Sequence, residues 1–317
     1  MKLKNAVKDY KLTPDMTIRE FVEQMGQAWG FTAGKLVVGV DILERMEKEK
    51  DCVKFLSFTG NLVATGTRGA LKEIVKGKLV DVIVTTCGTL DHDIARCSKE
   101  YYKGSFVMND KKLRDEGVNR LGNVLVPNDS YGAPIEKSIQ GLLRELWKEG
   151  VREVTACSFC REIGKRICNE TSILYWAAKN GVPVFVPGIT DGAVGYQMWL
   201  FSQDHDLRLN LLKDSGQLSD IVYGAKKAGA LLVGGGISKH HTLWWNQFRE
   251  GLDYAVYAST ADEWDGSLSG ARPREAVSWG KISGKAKRIM IEGDASVTLP
   301  LMVAALINRL ERAKRRS

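Results

Sequence analysis

Long apolar runs are missing from this 317-residue sequence, and cysteine, histidine and proline are scarce. No stretch approaches the roughly 18 apolar residues that cross a bilayer, and 1–10 is charged rather than signal-like. A soluble, cytoplasmic protein with no membrane partner is therefore expected. Six cysteines (Cys52, Cys87, Cys97, Cys157, Cys160 and Cys168) are too few to staple a chain of this length, so free thiols in a reducing compartment are expected. Cys157-Ser-Phe-Cys160 is the one C-x-x-C pair, and His92, His205, His240 and His241 lie far from it in sequence. No metal site is expected, with a metal or redox role for that pair as the minor alternative. No Pro-rich linker, repeat or low-complexity tract divides the chain. We expect one domain over 1–317, with 1–32 as a helical extension within it.

The charge balance is 46 basic against 38 acidic residues, net +8. Much of the surplus sits in Arg309, Arg312, Lys314, Arg315 and Arg316, opposed there by Glu311 alone. Basic residues interleaved with aromatics along a groove would suggest nucleic acid, and neither tail nor body shows them. The tail reads as a solvated helix end, where cations oppose the helix dipole. A hydrophobic content of 44% is enough for a sizeable core.

Thr17-Ile-Arg-Glu20 has the form of a capping box, and Ile18, Phe21, Val22 and Met25 then recur at helical spacing up to Gly26. Beyond it, β-branched runs alternate with amphipathic stretches. Strands are predicted over 53–58, 80–86, 122–126, 182–186, 230–233, 254–258 and 288–291. Helices are predicted over 68–75, 135–148, 172–179, 218–228 and 297–312, and a helix start near Cys157. Such alternation predicts an α/β fold, a doubly wound and mainly parallel Rossmann-like sheet behind the N-terminal helical extension.

Ligands of such sheets bind beyond the carboxyl ends of the strands. Those ends read Thr59-Gly60-Asn61, Thr85-Thr86-Cys87-Gly88, Pro187 to Gly192, Gly234-Gly235-Gly236, Ser259-Thr260-Ala261 and Glu292-Gly293-Asp294. Small residues allow close approach, amides and hydroxyls hold phosphates, and carboxylates accept from ribose. No G-x-G-x-x-G is present, and each end alone is weak evidence. Gly234 to Gly236 could be a tight turn, and Asp294 a helix cap. Together the six ends favour a phosphate-rich dinucleotide.

Lys281, in Ser278-Trp279-Gly280-Lys281, is the candidate nucleophile. An amine attacks a carbonyl or imine carbon only when neutral, so an apolar wall from Trp279 and close backbone approach at Gly280 would prepare it. A solvated surface lysine is the plain alternative. His240, within Lys239-His240-His241, suits proton transfer near neutral pH, or else packs at a helix start. Glu263, Asp265 and Glu275 could bind a cation or stay solvated.

The segments Gly-Gly-Gly-Ile-Ser-Lys-His-His at 234–241, Asp-Tyr-Ala-Val-Tyr at 253–257, Asp-Gly-Ser at 265–267, Ser-Gly-Ala-Arg-Pro at 269–273, Glu-Ala-Val-Ser-Trp-Gly-Lys at 275–281 and Asp-Ala-Ser at 294–296 resemble the signature of deoxyhypusine synthases. The resemblance extends over nearly the whole chain. It implies NAD-dependent transfer of the 4-aminobutyl group of spermidine to one lysine of translation initiation factor 5A, through an imine on Lys281, with His240 as base. It further implies NAD at Asn61, Thr86, Asp191, Gly235, Thr260, Ala261 and Asp294. The polyamine would meet Glu275, Trp279, Tyr257, Asp265 and His92. A homotetramer with sites at subunit interfaces is implied too, and the helix at 17–26 could cover a site entrance.

Leu268, Tyr196, His92 and Trp244 depart from better-known eukaryotic members, replacing acids or an asparagine near the polyamine. An archaeal-type member is expected, with Asp91, Asp93, Asp262, Glu263 or Asp265 compensating, or with another donor. The same chemistry with a free amine acceptor, giving homospermidine, is the same-class rival. A catalytically silent paralogue that binds NAD or the factor is the non-enzymatic one.

Overall fold

The computed structural model describes residues 4–314, so Arg315 and Arg316 of the basic tail lie outside the described residues. Contacts gather the chain into two compact units, one built from the part up to Leu56 together with the part from Val222 onward, the other spanning Ser57–Ile221.

Six strands form the main sheet: β1 (Cys52–Phe58), β2 (Val82–Val84), β3 (Val184–Phe185), β4 (Lys227–Val233), β5 (Leu252–Ser259) and β6 (Ile282–Glu292). Their spatial order is β6-β5-β4-β1-β2-β3. Read from the other edge this is 3-2-1-4-5-6, the order of doubly wound dinucleotide folds, with its reversal between β1 and β4. Pairing is parallel between β4 and β5, β5 and β6, and β2 and β3. Six of the seven β4 residues and seven of the eight in β5 are buried, as expected of parallel strands covered on both faces.

The unit containing the termini holds the helices Ile18–Ala28, Phe31–Lys48, Gly236–Asn246, Pro273–Ser278 and Ala295–Lys314. The capping box forms, with Thr17 and Glu20 bonded reciprocally, but that helix runs past Gly26 to Ala28. Phe31–Lys48 lies so close to the sheet that a Cβ on Gly39 would come within 2.7 Å of Ile291 Cδ1.

Two expected elements differ. The strand at 122–126 is not in the main sheet: Val124–Pro127 pairs antiparallel with Val118–Leu121 across a turn in which Gly122 has φ +61°. The helix expected at 218–228 is Leu211–Gly224, because Lys227 and Ala228 already belong to β4. Among the described residues, no helix is long and apolar enough to cross a membrane.

Candidate active site

The helix Pro273–Ser278 begins with Pro at its first turn, where its missing N–H costs nothing, and ends on Trp279 as C-cap. Gly280 follows with φ +68°. Its N–H donates to Val277 O at 3.0 Å and that of Lys281 to Ala276 O at 2.9 Å, the paired bonds of a Schellman cap. Gly280 is therefore required by its backbone angle. The close approach expected there is absent, since a Cβ would meet nothing within 4 Å. Lys281 leads into β6, and its carbonyl accepts from Leu252 N at 3.1 Å.

The Lys281 ammonium lies 5.2 Å from the centroid of the Trp279 ring. Trp279 is 66% exposed, so within one chain it offers a face to the amine rather than a sealed wall. His240 is an exposed residue of the helix Gly236–Asn246 and stacks on Trp244, centroids 5.9 Å apart at 21°. Partial burial lowers its pKa, and the Lys281 charge lowers it further. Lys281 and His240 are thus electrostatic neighbours, with the imidazole held neutral at neutral pH.

Tyr257 projects from β5, 2% exposed, and its hydroxyl is buried without a hydrogen-bond partner. Burial raises the phenol's pKa, and the Glu275 charge adds to that. Asp265 is exposed and accepts from Ser267 N at 2.7 Å, which keeps its pKa low. Glu263 pairs with Arg274 and Arg272, and Asp262 is exposed.

Asp91 and Asp93, considered above as compensating acids, are turned to internal work in the other unit. Asp91 is 1% exposed and accepts from Ala193 N (3.0 Å), Val194 N (2.9 Å) and Tyr131 Oη (2.9 Å), capping the helix Ala193–Ser202. Gly192 is obligatory beside it, since a Cβ would meet Cys87 Sγ at 2.6 Å. Asp93 is bound by Arg68 Nε (2.7 Å), Ser172 Oγ (2.7 Å), Ile173 N (3.2 Å) and Leu174 N (2.9 Å). His92 is 8% exposed, its Nδ1 lies 3.0 Å from Tyr101 Oη, and burial pushes its pKa down to about 4. Its polar atom is engaged inside this unit.

Asn61, Thr86 and Asp191 lie at strand ends of this same unit. Thr86 is the N-cap of the helix Cys87–Ala95, but its hydroxyl accepts from Gly60 N at 2.9 Å instead of capping. Asn61 and Asp191 are exposed. In the terminus-bearing unit, Gly235 is the N-cap of Gly236–Asn246 with no side-chain bond, Thr260 is exposed, and Ala261 N donates to Ser259 Oγ at 3.1 Å. Asp294 caps the last helix, its carboxylate accepting from Ser296 N and Ser296 Oγ, both at 2.8 Å. Neither Thr86 nor Gly235 caps its own helix through a side chain.

Cys157 and Cys160 are buried free thiols at a helix start. Burial and then the Asp214 charge push the Cys157 pKa up to about 11, so it stays protonated at neutral pH. Sequence reasoning gave Lys239 no role of its own. Its spacing to Leu243 and Asn246 along one helix face was the available signal.

The strand order defines a doubly wound α/β protein, a fold class that includes dinucleotide-binding enzymes. The family model for deoxyhypusine synthase matches residues 20–306. A relative from Picrophilus torridus, named probable deoxyhypusine synthase, is 53% identical over 96% of this chain and 98% of its own. One from Thermoplasma acidophilum with the same name is 51% identical with the same coverage. A solved structure from Entamoeba histolytica, described as a putative deoxyhypusine synthase, shares the fold with TM-score 0.66, at 19% identity, covering 95% of this chain and 97% of that one. The chain belongs to the deoxyhypusine synthase family. It has deoxyhypusine synthase function and is a transferase, and its family implies NAD, spermidine and the factor 5A substrate.

Proposed function

We propose that this chain transfers the 4-aminobutyl group of spermidine to one lysine of translation initiation factor 5A, with Lys281 carrying the group as an imine. The observation that carries this reading is the placement of Lys281, with its ammonium on the Trp279 ring and its charge acting on His240. Asn61, Thr86, Asp191, Gly235, Thr260, Ala261 and Asp294 would hold NAD. When bound, NAD supplies reversible hydride acceptance at the amine-bearing carbon.

This chain's residues do the rest. Trp279 offers its ring face to a substrate ammonium, and Glu275 and Asp265 offer charge. The buried Tyr257 hydroxyl has a hydrogen bond to give to a substrate amine. His240 Nε2 or Nδ1, neutral at working pH, takes the proton released when the donor amine becomes an imine. Lys281 Nζ then attacks that imine carbon, the new C–N bond forms, and the bond to 1,3-diaminopropane breaks, its nitrogen leaving with a proton. The acceptor lysine displaces Lys281 by the same exchange, and the returned hydride leaves a secondary amine. A homotetramer whose subunits complete each other's sites fits the exposed face of Trp279.

Incubating the purified chain with NAD, spermidine labelled in the aminobutyl group, and the factor tests the reading. Label on one factor lysine is expected. Label only in free homospermidine would assign the amine-acceptor reaction instead, and no transfer at all would assign a binding role.

A further inference from the structure

The helix Gly236–Asn246 buries Ser238, Lys239, Thr242, Leu243 and Asn246, and Lys239 is the chemical outlier on that face. Only 2% of it is exposed, whereas lysine is almost never fully buried without a partner. Its partners are backbone carbonyls: Nζ donates to Leu268 O at 2.7 Å and to Ala271 O at 2.9 Å. It also lies 4.2 Å from the centroid of the Tyr257 ring.

The two carbonyls bracket a stretch that is already tightly seated. A Cβ on Gly270 would come within 1.8 Å of Asp262 O, and one on Gly235 within 2.0 Å of Ser269 Oγ. Ala271 stands two residues before Pro273, where the helix ending in Trp279, Gly280 and Lys281 begins. An apolar side chain could fill the same space without the cost of burying a charge. What only the ammonium supplies is directional donation to two carbonyls at once.

We propose that Lys239 is the positioning residue for the carrier lysine: by holding the carbonyls of residues 268 and 271, it sets where the following helix delivers Trp279 and Lys281 relative to His240. The backbone of Lys239 adjoins His240, while its side chain fixes the segment that leads to Lys281. One residue thereby ties the base to the nucleophile. Burial pushes the Lys239 pKa down to about 8, with the Glu275 charge raising it and Arg272 lowering it, so the amine retains its donors across the neutral range. This inference rests on the reading of Lys281 as carrier.

The test is the rate at which borohydride-reducible adduct accumulates on Lys281, with NAD present and spermidine varied. K239M keeps an unbranched side chain, one atom shorter, and removes the donors. It is expected to form adduct about 10²-fold more slowly, the loss typical of a small misplacement, with half-saturating spermidine within about threefold of wild type. K239Q keeps two donors but ends one atom short, and is expected to be slower by about tenfold, again with unchanged spermidine dependence. If K239M does not fold, K239Q is decisive. Wild-type rates in the folded variants, or a change confined to spermidine dependence, overturn the proposal. Absence of adduct in the wild-type protein overturns the reading of Lys281 itself, a distinct result.

Discussion

Trp279 and Lys281 flank one left-handed glycine at a helix end, and that geometry sets the Lys281 ammonium 5.2 Å from the centroid of the Trp279 ring. The Trp-Gly-Lys order thus has a backbone reason. Glycine ends the helix, tryptophan is its last turn, and lysine is the first residue to leave it.

Gly280→Ala places a Cβ at φ +68° in otherwise open space, so only backbone strain opposes it. A cost of about 1 kcal/mol is expected, seen as a melting temperature lower by about 2–4 °C. Lys281 adduct formation should slow as well. Unchanged melting and unchanged rate together would contradict the cap's role.

Trp279→Ala should weaken use of the polyamine donor by about two- to fivefold, the value of an exposed cation–π contact, while Trp279→Phe should retain most of it. Steady-state kinetics with varied spermidine measures this. Equal losses in both variants would point to packing rather than to the ring face.

The neutral His240 imidazole is favoured in the fold by burial and then by the Lys281 charge. Its pKa lies below the ordinary 6.5, so activity limited by this base should rise with pH through a value below 6.5 and be flat above it. In Lys281→Ala the His240 value should move upward, as read by NMR titration. For stability the sign is set by His92 and His241, both pushed to about 4 by burial. Their contribution is complete above 6.5 and is lost as pH falls from 6.5 toward 4, because the unfolded chain then binds protons the fold refuses.

Asp93→Ala leaves the Arg68 guanidinium, only 7% exposed, without its carboxylate. A loss of about 3–5 kcal/mol is expected in denaturant melts. Surviving folded enzyme should show ordinary spermidine dependence. A selective rise in the spermidine requirement without destabilisation would return Asp93 to the donor site.

Much of the fold was legible because parallel strands buried on both faces leave nearly unbroken apolar runs, as at 230–233 in β4 and 254–258 in β5. The hairpin at 118–127 was not, since a short apolar run carries no record of which sheet it joins. The helix at 211–224 was misplaced because Lys227 and Ala228 can extend a helical pattern as readily as start a strand. At the site, the strand-end residues, Lys281 and His240 stood out by type and context. The internal hydrogen bonds of Asp91, Asp93 and His92 did not, because burial and partners 9 to 103 residues away along the chain leave no local trace. Lys239 had a trace, a cation on a buried helix stripe, but its partners are carbonyls, which every residue has.

The central claim is that Lys281 carries the aminobutyl group. Borohydride reduction after incubation with NAD and spermidine, followed by mass spectrometry of the peptide containing Lys281, measures it directly. The account predicts a stable aminobutyl adduct on Lys281 that requires NAD and is absent in Lys281→Ala. An unmodified Lys281 in protein that still transfers the group to the factor would contradict it.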